Sequence, residues 1–297
     1  MSKLLVSLIL FTILLLSCES NNGEIQEAVA SLNLDLDRPE DNLLAFAKVR
    51  ADLEGEEMLY YASGTIYGFV AGERDKPLMG FEMYNIARLI EQEEGYQLLT
   101  RELGFYKDLE TGKILEEWEN PYTGETVEVV QVWNDPVNQE FKLEGRFGKW
   151  GVNHTKLSDD LICMNADVFL IYPSPLKTAD YPENSQSDNY EAAELFQFFF
   201  SEEDVNNPDL TSVPATISWT RIGPWLPWMK MGQRPGNMVY QTSGYKLAEK
   251  DYNSMPKDFR DYIMANKPEY RHAPDTFSRP NETSWTYFKK LNPLIDS

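Results

Sequence analysis

The densest chemical signal in the chain runs from Trp219-Thr220-Arg221 through Pro224-Trp225-Leu226-Pro227-Trp228, three of seven tryptophans within ten residues. Pro224 and Pro227 fix φ and remove two backbone donors, so the segment reads as a rigid loop rather than a helix or a central strand. Held that way, Trp219, Trp225 and Trp228 offer flat apolar faces to a ring system, with Arg221 beside them as a polar anchor. The same residues equally suit a proline-shaped plug closing one end of a sheet. A second group sits in alternating stretches. Phe81, Met83, Asn85, Ala87 and Leu89 share one strand face, while Glu82, Tyr84, Ile86 and Arg88 share the other. Arg101 lies among Gln97, Leu99, Leu103 and Phe105. If Glu82, Arg88 or Arg101 points inward it needs a charged partner or a ligand, because an unpaired buried charge is costly. If outward, it is a solvated charge or half of a structural ion pair. Glu82, Tyr122 and His154 are the candidate acids and bases, with Arg88 and Arg101 alongside. His154, in Gly151-Val152-Asn153-His154-Thr155, is expected on a loop, where a histidine can titrate near neutrality. His272 has weaker surroundings.

Cysteine chemistry divides in two. Lys3, an apolar run from Leu4 to Leu16, and Ser17-Cys18 lay out a bacterial lipoprotein leader, with the run too short for a comfortable membrane span. An ordinary secretory signal or membrane anchor is the competing reading. On the lipoprotein reading the Cys18 thiol takes the lipid and the mature protein starts there, held to the membrane at the bacterial cell envelope, on the periplasmic face or at the outer membrane. Cys163 is then the one remaining thiol, so no intrachain disulfide forms; between Ile162 and Met164 it reads as a buried small hydrophobe. Neither histidine nor cysteine has metal-ligand spacing, and no phosphate loop, dinucleotide fingerprint, nucleophile elbow or zinc-protease motif is present. No cofactor or metal is expected. The sequons Asn153-x-Thr155 and Asn281-x-Thr283 carry little meaning in a bacterial lipoprotein.

Removing residues 1–17 takes away Lys3 alone among the charges, leaving 280 residues with 26 basic and 48 acidic side chains, a net charge of −22. Such a surface repels phosphate backbones and anionic headgroups, which argues against nucleic-acid binding and against a basic membrane-binding site. The length suits one large or two small domains; a single domain is expected over 38–297, after a polar tether over 18–37.

The elements that must position these residues are mostly strands. Asp37 with Glu40 resembles a capping pair, Pro39 suits a first turn, and Leu43, Leu44, Ala47 and Val49 form an apolar stripe, so a helix opens the domain. From Met58 onward period two replaces period 3.6, predicting strands near 58–70, 77–90, 95–106, 113–119, 126–134, 140–148, 162–171, 194–201, 215–222 and 237–247. Asp108-Leu109-Glu110-Thr111-Gly112 and Asn120-Pro121-Tyr122-Thr123-Gly124 form an echo, each ending in a glycine able to take positive φ and close a hairpin. Thr178 to Pro208 reads as loop, strand, loop, with a short helix from Tyr190 as the alternative. Pro256–Asn266 and Asn281–Leu291 read as helices outside the sheet or closing one end. Parallel strands would each need a long crossover, so the fold class is mainly β: an antiparallel barrel or strongly curved sheet with peripheral helices.

Gly64-Thr65-Ile66-Tyr67-Gly68-Phe69-Val70, Gly72-Glu73-Arg74, Gly80-Phe81-Glu82, Asn120-Pro121-Tyr122-Thr123-Gly124-Glu125 and the Trp219 to Met229 segment resemble the bacterial family catalogued as domain of unknown function 1838, over about Asp41 to Leu291. The resemblance implies an exported bacterial protein and carries no catalytic residue. The general architecture is expected to be lipocalin-like, which does not establish function. Three readings remain: a lipid-anchored envelope protein binding a hydrophobic or aromatic small molecule in a barrel, a cofactor-independent hydratase, isomerase or lyase on such a ligand, or a ligand-free envelope scaffold.

Overall fold

The computed structural model describes residues 31–145, 148–247 and 252–294. The leader, Cys18 and most of the expected tether lie outside the described residues. Among the described residues there are four α-helices: α1 (Pro39–Arg50), α2 (Glu202–Asn206), α3 (Lys257–Asn266) and α4 (Ser284–Leu291). The long strands are β1 (Met58–Phe69), β2 (Lys76–Gln92) and β3 (Gly95–Lys107), then β11 (Leu161–Pro173), β12 (Asn189–Ser201), β13 (Thr216–Gly223) and β14 (Asn237–Lys246). Between them come the short strands β4 (Glu117–Glu119), β5 (Thr126–Glu128), β6 (Val132–Asn134), β7 (Gln139–Lys142), β8 (Glu144–Gly145), β9 (Gly148–Lys149) and β10 (Asn153–Lys156). One antiparallel sheet runs β10-β11-β12-β13-β14-β1-β2-β3-β6, with β7 also on β3. The chain is therefore mainly β, as its period-two runs require.

Several expectations are corrected in detail. His154 lies not on a loop but in edge strand β10, opposite Met164; its short polar neighbours hid a four-residue strand that forms only because β11 offers an edge. The first-helix cap is Arg38, without a side-chain hydrogen bond, so Asp37 and Glu40 form no capping pair. The last helix starts at Ser284 rather than Asn281, because Thr283 caps it and bonds the Thr286 N–H. Residues after β12 form α2, capped by Ser201. The expected 126–134 strand is broken into β5 and β6, and the expected 140–148 strand into β7, β8 and the start of β9. The paired turns hold: Gly112 and Gly124 have φ of 68° and 75°, and in each turn the glycine N–H donates to the carbonyl four residues earlier, on Asp108 and on Asn120.

The sheet curls around α1, which is not peripheral. Phe46 of α1 packs against Phe141 of β7 at 5.4 Å and Phe198 of β12 at 5.7 Å, strands lying toward opposite ends of the ladder. Residues 143–145 and 148–152 tie one edge to the other: β8 and β9 pair with each other, and Trp150 Nε1 and the Val152 N–H both donate to Asn42 of α1. Buried Lys246 fixes the end of α1 from β14 by donating to the Lys48, Val49 and Ala51 carbonyls, supplying partners that a helix C-terminus otherwise lacks. The end of the expected tether is also held, for the N–H groups of Leu32 and Leu34 donate to Asn206.

Three apolar clusters follow. The concave face holds two, one under α1 and one built by the tryptophan–proline loop, β4–β5 and α4. The convex face carries the third, where Phe259 and Ile263 of α3 cover Tyr61, Tyr84, Ile86 and Phe105. Because both faces of β1–β3 are covered, their residues cannot alternate cleanly between apolar and polar.

Candidate functional site

Residues of even number in β3 and β12 point into the curl, and each set contains one carboxylate: Leu98, Thr100, Glu102, Gly104 and Tyr106 in β3; Tyr190, Ala192, Glu194, Phe196, Phe198 and Phe200 in β12. Five strand-to-strand steps separate these two strands. In a flat sheet that places them about 24 Å apart. Curling brings them across from one another, so that the Glu194 charge acts on Glu102. The same curl brings Tyr106 Oη of β3 to 3.5 Å from Tyr240 Oη of β14.

Glu102 is built into a polar layer. Its cross-strand neighbours are Asn85 on β2 and Asn134 on β6. Arg50, the last residue of α1, donates through Nη2 to Asn85 Oδ1 at 2.7 Å, and Asn85 Nδ2 donates to Thr100 Oγ1 at 2.6 Å. Burial raises the Glu102 carboxyl to about 7, Glu194 adds to the rise, and Arg50 and Asn134 oppose it. On the facing wall, Arg221 Nη2 donates to Tyr190 Oη at 2.6 Å and Arg221 Nε lies 3.4 Å from Glu194 Oε1. The guanidinium sits over the Tyr240 ring at 5.2 Å and the Trp285 ring at 5.5 Å. Burial works against the Arg221 charge, but Tyr190, Tyr240 and Glu194 outweigh it and hold the group protonated. Burial also raises Glu194, against Arg221 and the Trp219 indole.

This layer separates the two concave cores. Met83 and Phe196 border both and are only half-buried, as are Ala166, Ala192, Glu102 and Glu194. Arg50 Nη1, Asn134 Oδ1 and Arg221 Nη1 are buried without a hydrogen-bond partner among the described residues. Polar groups in that state are costly unless something completes them. The site thus has apolar walls, two guanidiniums, two carboxyls and hydrogen-bonding capacity left over.

Of the residues singled out from sequence, Arg221 and Trp219 lie in this layer. Trp228 and Trp225 belong to the neighbouring core and are 4 % and 2 % exposed, which leaves neither indole a free face. Trp228 packs on Tyr106 at 5.3 Å and Trp118 at 5.8 Å; Trp225 packs on Tyr122 and donates from Nε1 to the Arg234 carbonyl. Tyr122 sits at the β4–β5 turn with Lys76 and Arg234 over its ring. Glu82, Arg88 and Arg101 point to the convex face. Glu82 pairs with Lys107 at 2.9 Å, which also holds Asp258 of α3. Arg88 pairs with Glu57 at 3.2 Å beside a shallow depression, and the other Glu57 oxygen lies 3.1 Å from His272 Nδ1. Arg101 pairs with Asp135 at 2.8 Å and donates to the Glu269 and His272 carbonyls, tying the chain after α3 to the sheet. His154 Nε2 is 3.8 Å from Asp37. Cys163 is buried, as expected. Glu102 and Glu194 were missed, although each is the lone carboxylate in an alternating set of apolar or small residues.

Comparison with known families agrees with the resemblance seen in the sequence: the model of a family described as "Protein of unknown function (DUF1838)" matches residues 55–292. No curated protein matches the chain.

Proposed function

The chain belongs to the DUF1838 family, and we propose that within it this protein binds a small, largely apolar molecule with a neutral polar head between the two cores of the curled sheet. The observation that carries the reading is the polar layer itself, with half-buried Met83, Phe196, Ala166 and Ala192 around unpartnered Arg50 Nη1, Asn134 Oδ1 and Arg221 Nη1. Arg221 is answered by Glu194, and Glu102, raised to about 7, stands among amides rather than in an ion pair, so a neutral hydroxyl or carbonyl suits the layer. In this reading the curled sheet, tied to α1 through Trp150 and Val152, acts as the barrel expected from the sequence, lipocalin-like in general architecture. The tryptophan–proline loop serves it as an end plug. The lipobox at Cys18 supports an envelope location on a lipid anchor.

Titration of the purified protein with 2-naphthol, an aromatic ring bearing a neutral hydroxyl, tests the reading by calorimetry. Saturable binding is expected, and Ala166→Trp, which sets an indole beside its cross-strand partner Phe196, should weaken it at least about tenfold while circular dichroism stays unchanged. Binding that survives Ala166→Trp intact would place the ligand elsewhere.

A further inference from the structure

We infer that the free edge of β11 is a self-association site, at which a second copy of this chain adds its own β11 antiparallel about a two-fold axis at Leu170. The inference stands on the sheet edge and is independent of the polar layer. β11 is 13 residues long, but its outer neighbour β10 pairs only with Ile162 to Asn165. The rest of the strand, to Pro173, is paired with β12 on one side and open on the other. Which peptide groups face the opening follows from the two ends. The Leu161 carbonyl accepts from the Leu157 N–H, on the β10 side, whereas the Ser174 N–H donates to the Asp188 carbonyl, on the β12 side. Peptide groups alternate between the two edges of an antiparallel strand, so the odd-numbered residues of β11 present theirs outward. The N–H groups of Asp167, Phe169 and Ile171 therefore point away from β12 and have no hydrogen-bond partner among the described residues. Pro173 fits the same parity, since a proline in a strand belongs where its missing donor faces out.

The side chains at this edge do not suit a solvated strand. Phe169 and Ile171 are 70 % and 76 % exposed, and Val168 on the other face is 40 % exposed. Neither a lysine nor a bulge interrupts residues 166–172, so the edge is a bare template for another strand. The spacing of its apolar residues names the occupant. Phe169 and Ile171 lie two residues apart on one face, so a copy turned about Leu170 sets each Phe169 opposite the partner's Ile171. An aromatic–β-branched pair then forms on both sides of the axis. Phe169 and the partner's Ile171 exchange both N–H···O bonds, and each Asp167 N–H donates to the carbonyl of the partner's Pro173. Charge agrees, because Asp167, the one charged side chain between 166 and 172, meets a proline instead of its own copy. A register centred on Phe169 is poorer: Pro173 then needs the place beside the partner's Asn165, which β10 already fills. A foreign strand can answer the same backbone groups, but only this chain guarantees the apolar match.

The test follows the lipid-free form, Cys18→Ser behind a cleavable signal, by sedimentation velocity from about 1 to 300 μM. A reversible species of twice the monomer mass is expected, and amide exchange at Phe169 and Ile171 should slow as it forms. Added NaCl should tighten the association, because both copies are strongly acidic. Ile171→Pro removes an outward donor and no bond within the chain, and Phe169→Lys puts a charge into the apolar pair. Each should raise the dimer dissociation constant at least about 100-fold with an unchanged circular dichroism spectrum. Under mild oxidation Leu170→Cys should give a disulfide-linked dimer and Val168→Cys should not, since only position 170 meets itself within disulfide reach. A monomer at every concentration overturns the inference: with those amides protected the edge is covered from within the chain, and with them exchanging freely it is left for a foreign strand. A dimer that survives both edge substitutions in folded variants overturns it too, as do loosening by salt and cross-linking through Val168→Cys in preference to Leu170→Cys. Should Ile171→Pro fail to fold, Phe169→Lys and the exchange measurement decide.

Discussion

Replacing Glu102 by glutamine should stabilise the protein at neutral pH and leave it nearly unchanged in acid. Folding raises this carboxyl from its ordinary 4.5 to about 7, chiefly through burial. A raised acid binds its proton more tightly folded than unfolded, so its contribution to stability is full below pH 4.5. It erodes as pH climbs and is lost above about 7. At about 1.36 kcal/mol per pH unit the full excursion is ~3 kcal/mol, an order-of-magnitude figure. Glutamine carries no charge at any pH and keeps the side chain's size, so the variant escapes that loss. For a chain this long the gain corresponds to about 6–10 °C in Tm.

The difference between variant and wild type is the quantity to follow, because other groups shift absolute stability in the opposite sense. Asp160 and Asp188 are held low by hydrogen bonds from Glu203 and Ser201 and from Thr178, so they favour folding above the ordinary aspartate range and lose that as pH falls. Urea unfolding of both proteins at half-unit intervals from pH 4 to 8.5 isolates the Glu102 contribution. The two curves should converge near pH 4.5 and separate to a plateau by pH 8. In a Glu194→Gln background the separation should shrink, since part of the rise comes from the Glu194 charge. A difference that stays flat across this range would refute the placement of Glu102 in a shielded layer.

Truncating Trp228 or Trp225 to alanine should cost about 3–5 kcal/mol in urea unfolding, the usual price of an aromatic cavity, since both indoles are buried; a loss under 1 kcal/mol would show that the loop is not a plug. Lys246→Met should destabilise by about 2–4 kcal/mol, because the Lys48, Val49 and Ala51 carbonyls lose a shared donor, and amide exchange in the last turn of α1 should quicken. Gly244→Ala places a methyl carbon 2.0 Å from the Tyr61 carbonyl oxygen, so it should disrupt the β1–β14 pairing and lower Tm by many degrees. On localisation, wild-type protein should fractionate with membranes, and a form with Cys18→Ser behind a cleavable ordinary signal should be soluble.

Much of the sheet was legible because strands announce themselves by alternation, and in β1, β2, β3, β11 and β14 the alternating run is long enough to outweigh its boundaries. The short strands β4 to β10 were harder, since three or four residues carry too little pattern and their pairing depends on the edge that receives them. His154 shows this: nothing in Asn153-His154-Thr155-Lys156 says strand until β11 lies beside it. What alternation could not give was which side of each strand faces the curl. On β2 the set with Glu82 and Arg88 looked as buried as the set with Asn85, and both impressions are correct, because α3 and the chain after it cover the convex face as α1 and the loop cover the concave one.

That double coverage explains why the charges chosen from sequence and the charges in the polar layer are largely different residues. The arginines that stand out within the alternating runs, Arg88 and Arg101, each answer a carboxylate on the convex face. More telling is the partner count within one face. Glu102 and Glu194 stand alone among the inward residues of their own strands; Arg221 faces Glu194 from the neighbouring strand, whereas the cation nearest to Glu102's layer, Arg50, arrives from a helix. A lone carboxylate in an inward set must be neutralised by protonation, by a cation from outside the set, or by a ligand. Here Glu194 meets the second condition through Arg221, Glu102 moves toward the first, and the unpartnered donors beside them leave the third open.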